Sequence, residues 1–336
     1  MNRTSSIASR VFRTLSIAAA VALATGLLAS AAQADPSLAG KRIGVYITGT
    51  DHYWDLMAYK GVQDEIKRLG GTAIALDAGR KDQTQVAQLQ TLIAQKPNAI
   101  IEILGNIGVL NPWLAKIKAA NIPLFTVDIA TPYAINTTTS NNYNLGADIA
   151  LQMVADMGGK SNILVFNGFY SVPVCKIRYD QMKYVLNAFP DVKIIQPELR
   201  DVIPNTVQSA YSNVTDMLTK YRQKGSISAI WSCWNVPQIG ATQAVHAAKR
   251  DEIRTYAIDG SPDVIKMVAD KNSPAGAVGA QWPYEIGKTS AQNVALYLAG
   301  QQVPPFTFVP AVLVNKKNAD VTSRALLDDA AQAGVK

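Results

Sequence analysis

Nine short apolar runs, separated by segments of helical period, restrict this chain to an α/β architecture. They are RIGVYIT (42–48), TAIALD (72–77), AIIEIL (99–104), IPLFTVD (122–128), NILVFNG (162–168), VKIIQP (192–197), SAIWSC (228–233), RTYAID (254–259) and AGAVGAQ (275–281). Continuous apolar strands joined by helical crossovers imply parallel sheets covered on both faces. The segment 53–69 shows the helical side of the pattern. Leu56, Tyr59, Val62, Ile66 and Leu69 recur at spacings of three and four, with Asp64, Glu65, Lys67 and Arg68 mostly on the other face. Asp82 to Ala94 repeats it, with Val86 and Leu89 inward. One sheet of nine such units would be large, so two sheets with short crossings between them are expected. After residue 300 the prolines of QQVPPFTFVP call for an irregular or edge-like segment, followed by a strand at VLVNKK and a last helix over 318–333.

The first 34 residues read as an export signal. Arg3, Arg10 and Arg13 precede the run LSIAAAVALATGLLASAA, and Ala32-Gln33-Ala34 is a small-x-small cleavage site. Cleavage after Ala34 leaves about 300 residues, enough for two lobes with separate cores, and the expected location is the periplasm. It removes three arginines and no acid, so the formal charge of +7 falls to a mild excess. The remaining basic residues are scattered, which argues against nucleic acid as a partner. Cys175 and Cys233 permit one disulfide in an oxidising compartment, although two buried thiols is the favoured reading. The two histidines, His52 and His246, have no partners at ligand spacing, so no metal site is expected.

Polar residues recur where the apolar runs end. Asp51 follows the first run, Asp128 ends TVD, Asn235 follows SAIWSC, Asp259 ends YAID and Gln281 ends AGAVGAQ. Single acids after strands are ordinarily helix caps or turn formers. Five at corresponding element ends point to a common cleft, because ligands of open α/β sheets bind beyond the carboxyl ends of strands. The first turn, TGTDHYW, has one glycine and two large rings, which would crowd a phosphate. An acceptor beside aromatic faces suits a neutral hydroxylated ligand instead.

The order of these motifs resembles the sugar-binding type I periplasmic proteins, the ribose-binding family related to the ligand domains of LacI-type regulators. The resemblance covers essentially the whole mature chain. It rests on TDHYW, FTVD, SNNYNLGADIA, FNGFYSVPVCKIRYDQM, YAIDGSPD and AQWPYEIG, in that order. It implies two doubly wound parallel-sheet lobes joined by a three-segment hinge. The first lobe would comprise 41–140 and 282–310, the second 141–281 and 311–336. It also implies ligand contacts from Asp51, Tyr53, Trp54 and Asp128 in the first lobe. The second lobe would supply Arg178, Trp234 or Asn235, Asp259 and Gln281. Tyr53 and Trp54 would stack on C–H faces, Asp128 and Asp259 would accept hydroxyl protons, and Arg178 would donate through its fork.

Two departures from that pattern narrow the ligand. Ile129 stands where the family commonly has an arginine after the strand-end Asp, and Ile103 or Leu104 takes a position that is usually polar. With Trp234, and Trp231 and Trp282 close to cleft positions, the site is drier than a typical pentose pocket. A polyol, a cyclitol, a deoxysugar or a small amine-type osmolyte therefore joins the candidates. The expected function is delivery of that ligand to an ABC permease in the inner membrane by a monomeric binding protein that needs no cofactor. The YW pair and the LVNKKNAD tail also resemble the periplasmic partners of trimethylamine-oxide sensor kinases, so a sensory protein is the alternative. The first turn lacks GxGxxG, and no GxSxG elbow occurs, so an enzyme is not expected.

Overall fold

The computed structural model describes residues 36–168, 171–332 and 334. The expected export signal with its cleavage site, and Phe169 and Tyr170 of the FNGFYSVPV motif, lie outside the described residues. The order opens β1 (Arg42–Ile47), α1 (Tyr53–Arg68), β2 (Thr72–Asp77), α2 (Asp82–Gln95), β3 (Ala99–Ile103), α3 (Ile107–Ala119), β4 (Leu124–Val127) and β5 (Asn136–Thr139). It continues α4 (Asn142–Asp156), β6 (Ser161–Phe166), α5 (Pro173–Leu186), β7 (Val192–Ile194), α6 (Thr206–Lys220), β8 (Ala229–Ser232) and α7 (Asn235–Ala247). β9 (Arg254–Asp259), α8 (Pro262–Ala269), β10 (Ala275–Gln281), α9 (Pro283–Leu298), β11 (Phe306–Phe308), β12 (Ala311–Asn315) and α10 (Ala319–Gln332) complete it.

Two six-stranded sheets result, in the orders β11-β5-β4-β3-β1-β2 and β12-β10-β9-β8-β6-β7. Every pairing in the first sheet is parallel, and in the second only β12 runs antiparallel, against β10. The molecule is therefore two α/β lobes, each a mostly parallel sheet between helices. The chain passes between the sheets from β5 to α4, from β10 to α9, and from β11 to β12.

The central strands are buried end to end, as continuous apolar runs require: β3, β4, β8 and β10 expose nothing appreciable. The proline-rich tail forms the edge strand β11, with Phe306 and Phe308 largely exposed. β5 carries no apolar signal, since its sequence is NTTT, yet it is fully buried. Its side chains bond one another and their neighbours instead. Thr137 Oγ1 lies 2.8 Å from Thr126 Oγ1, and Asn293 of α9 donates to Asn136 Oδ1 at 3.1 Å.

The second crossing is anchored on the first lobe. α9 leaves β10 and packs on α1 so closely that a Cβ added at Gly61 would stand 2.1 Å from the Tyr284 carbonyl oxygen. One at Gly287 would stand 2.1 Å from that of Ala58. Only glycine admits this approach. Trp231, expected near the cleft, is fully buried in the core of the second lobe beside Tyr179. Trp282 packs against the α8 side of that lobe. The cysteines correct the favoured reading: Cys175 and Cys233 form a disulfide, with their Cα atoms 5.1 Å apart. The first turn of α5 lies directly over the end of β8, a closeness that a separation of 58 residues does not reveal.

Candidate functional site

The carboxyl ends of the two sheets face each other across a cleft, and side chains from both line a chamber of about 50 Å³. The first lobe contributes Trp54, Asp55, Leu104 and Asp128, the second Arg178, Trp234, Asn235 and Asp259. The lobes touch around it. Trp54 Nε1 donates to Gln281 Oε1 at 3.1 Å, and the His52 ring meets that of Trp234 edge-on at 4.8 Å. Val172 and Val174, at the start of α5, join the first lobe's apolar core with Ile103 and Leu104.

Arg178 is the centre of the polar network. It projects from the second turn of α5 and is only 2% exposed. Nε donates to Asn142 Oδ1 at 2.7 Å, and Nη1 to the Cys233 carbonyl and Asp259 Oδ1, both at 2.8 Å. Nη2 donates to Gln281 Oε1 at 2.9 Å. The rigid fork thus joins α5 to one residue each from α4, the β8–α7 turn, β9 and β10. Gly146 of α4 makes room for it: a Cβ there would stand 2.7 Å from the Arg178 carbonyl oxygen.

The two strand-end carboxylates converge on this centre from opposite lobes. Asp128 and Asp259 both adopt left-handed backbone, with φ of 58° and 106°, which aims each side chain off the end of its strand. Asp128 accepts from Thr139 Oγ1, which accepts in turn from Asn142 Nδ2 at 3.0 Å. Burial pushes each carboxyl up to about 6, and Arg178 holds both lower than burial alone would. Asn235 opens α7 and donates to Ser261 Oγ at 2.7 Å. Trp234 is held by its Nε1 donating to Asp201 Oδ2 at 2.7 Å.

The remaining expected residues divide. Gln281 stands behind Trp54 and Arg178 and joins them through one oxygen. Asp51 is half exposed at the rim, where it accepts from Arg80 Nε at 2.6 Å. Tyr53 does not line the chamber: it packs with Met57 and Tyr284 on the α9 side. Consecutive helical residues diverge by about 100°, and here Trp54 turns to the chamber while Tyr53 turns to α9, so the structure does not support the ligand-stacking role expected of Tyr53.

Arg80, His52 and Asp55 line the chamber as well and were not singled out from the sequence. Arg80 follows β2 in left-handed backbone, with φ of 56°. Its guanidinium bonds Asp55, His52 and Asp51, and the residue also lines a neighbouring cavity of about 220 Å³. Asp51, His52 and Asp55 bring donor atoms within 4.8 Å of one another, and Arg80 is the cation they surround. The strand-end rule that finds Asp128 reaches Arg80 too, but a cation after Gly79 reads locally as a solvated turn.

Comparison with known proteins matches residues 43–302 to the family described as periplasmic binding protein domain. A crystal structure described as an ABC sugar transporter subunit from Rhodobacter sphaeroides is 74% identical, covering 84% of this chain and all of that one, with a TM-score of 0.83. An ABC transporter solute-binding protein from Agrobacterium vitis, solved with bound allitol, is 56% identical with a TM-score of 0.85, covering 86% of this chain and all of its own. The xylitol-binding protein of Mycolicibacterium smegmatis is 27% identical over 261 residues, which span 75% of this chain and 71% of that protein.

Proposed function

The chain belongs to the periplasmic binding protein family, and from that premise we propose that it is the solute-binding component of an ABC importer, taking a neutral acyclic polyol. The observation that carries this reading is the set of three carboxylates that face the chamber. Asp55, Asp128 and Asp259 engage one oxygen each, with Arg80, Thr139 and Arg178 respectively, and offer the other to a ligand, while the donors of Arg178 are engaged by Asn142, Cys233, Asp259 and Gln281. A polyol offers an O–H donor on every carbon and no ring oxygen that only accepts, so it suits such a lining better than a cyclic sugar does. Trp54 and Leu104 supply the apolar faces for its C–H groups. The allitol found in the Agrobacterium vitis relative supports the same class of ligand.

In this reading Asp51, Trp54, Asp128, Arg178, Trp234, Asn235, Asp259 and Gln281 form or brace the ligand site, joined by Arg80, His52 and Asp55. The lobes, 41–140 with 282–310 and 141–281 with 311–336, close on the ligand by bending at the three crossings. A ligand held by both lobes binds the closed state more tightly, and that difference drives closure. The exported protein, cleaved after Ala34, works in the periplasm as a monomer and presents the closed form to the permease. Binding involves no chemistry and no cofactor.

Thermal shift against allitol, xylitol, ribitol, ribose, galactose and trimethylamine oxide tests the reading. At a hundred times its dissociation constant a ligand adds about 2.7 kcal/mol, which for about 300 residues raises the melting temperature by about 4 °C. A rise with the polyols is expected. A rise with trimethylamine oxide alone would replace the importer by the sensory protein.

A further inference from the structure

The disulfide joins two segments that both carry ligand-site side chains. Cys175 lies in the first turn of α5 and lines the chamber. Arg178 is three residues on, on the same face of the helix one turn later. Cys233 directly follows β8, and Trp234 and Asn235, which also line the chamber, come next. The carbonyl of Cys233 accepts from Arg178 Nη1 at 2.8 Å. Within one turn on one side and one residue on the other, the bond connects Arg178 to the turn that presents Trp234 and Asn235. Both cysteines are nearly inaccessible, at 3% and 1% exposure.

The disulfide adds a covalent link to packing that is otherwise non-covalent: α5 rests on α4 at Gly146, on the two apolar cores through Val174, Met182 and Leu186, and on Glu198 through a 2.7 Å bond from the Tyr179 hydroxyl. Apolar packing of this kind tolerates small axial shifts, whereas the guanidinium must meet Asp259 and Gln281 in register. We infer that the Cys175–Cys233 bridge is a positioning device for the ligand site: it locks α5 against the β8–α7 turn, so that Arg178 is aligned before ligand arrives. Its loss weakens ligand binding by loosening that wall while both lobes remain folded. Pre-alignment of this kind raises affinity by removing the ordering cost of binding.

The inference rests on the polyol reading only for its choice of probe. The test compares the oxidised protein with the Cys175→Ser/Cys233→Ser variant by titration with allitol and by hydrogen exchange without ligand. At least tenfold weaker binding is expected, with faster exchange confined to 173–182 and 233–235 and unchanged protection in α1 and α9. Arg178→Lys in both backgrounds adds a readout that general destabilisation would not move. Its loss of affinity should be smaller once the bridge is gone, because both changes disturb one alignment. Equal affinity with and without the bridge, or additive losses, overturns the inference. If the oxidised protein ignores allitol, the polyol reading fails by itself, and exchange then decides: unchanged protection over 173–182 refutes the positioning role.

Discussion

Replacing Arg178 by methionine keeps most of the side-chain volume and removes the charge on which the network depends. In the native protein Asp128 and Asp259 are buried, and even beside the guanidinium their carboxyls are pushed up to about 6. Removing one partner of a buried, hydrogen-bonded charge pair typically costs about 3–5 kcal/mol. For about 300 ordered residues the unfolding entropy is about 0.6 kcal/mol per kelvin, so the melting temperature should fall by about 5–8 °C at pH 8. The pH dependence separates this cause from lost packing. A carboxyl whose folded value lies above its unfolded one destabilises the fold once it must ionise. That penalty is absent below about pH 4 and complete above the folded value. Without Arg178 the folded values of both carboxyls rise further. At pH 5 they are largely protonated in either protein, so the charge-dependent part of the difference nearly vanishes. Between pH 6 and 8 the native carboxyls ionise at less cost than the variant's, and the gap widens. Thermal melts followed by circular dichroism at pH 5, 6, 7 and 8 read this directly. An equal gap at pH 5 and pH 8 would refute an electrostatic role and leave only lost contacts.

Ligand affinity should carry the same signature with a simpler sign. A carboxylate accepts hydroxyl protons more strongly than its protonated form and with both oxygens, so allitol should bind progressively more weakly as pH falls below about 6, by up to tenfold per unit for each carboxyl required in ionised form. Titration calorimetry at pH 7.5 and 5 checks this, and equal affinities would mean that neither Asp128 nor Asp259 accepts from the ligand as a carboxylate. Gly146→Ala places a Cβ against the Arg178 backbone, 2.7 Å from its carbonyl oxygen and 2.8 Å from its Cα. Overpacking there should destabilise by about 1–3 kcal/mol and weaken allitol binding as α5 is displaced; a variant of native stability and affinity would show that α4 and α5 adjust freely.

The sequence made the fold legible wherever burial follows hydrophobicity. β2, β9 and β10 begin and end where their apolar runs do, and α1 starts at Tyr53 as its periodicity predicts. β5 escaped because NTTT has no apolar pattern: its burial depends on hydroxyl and amide partners supplied by β4 and by α9, which is remote in the chain. The site followed the same division. Asp128, Arg178, Asp259 and Gln281 each belong to a local motif with an ordered place in the chain. Arg80 belongs to none, and its role exists only because β2 ends beside β1, which brings it to Asp51 and Asp55. Tyr53 and Trp54 diverge where the resemblance implied a shared task, because they leave the start of α1 about 100° apart and only Trp54 lines the chamber. The disulfide lay beyond reach because pairing depends on where β8 ends relative to α5, a tertiary distance that two isolated cysteines do not encode.

Neither sheet is cut from one stretch of chain: β11 completes a sheet otherwise built from residues 42–139, and β12 completes one built from 161–281. A recombination event that exchanged the chain on one side of the β5–α4 crossing would therefore leave the first sheet with an edge strand from the other parent. The same geometry sets the rule for anyone building hybrids from it: three junctions must move together, between β5 and α4, between β10 and α9, and between β11 and β12.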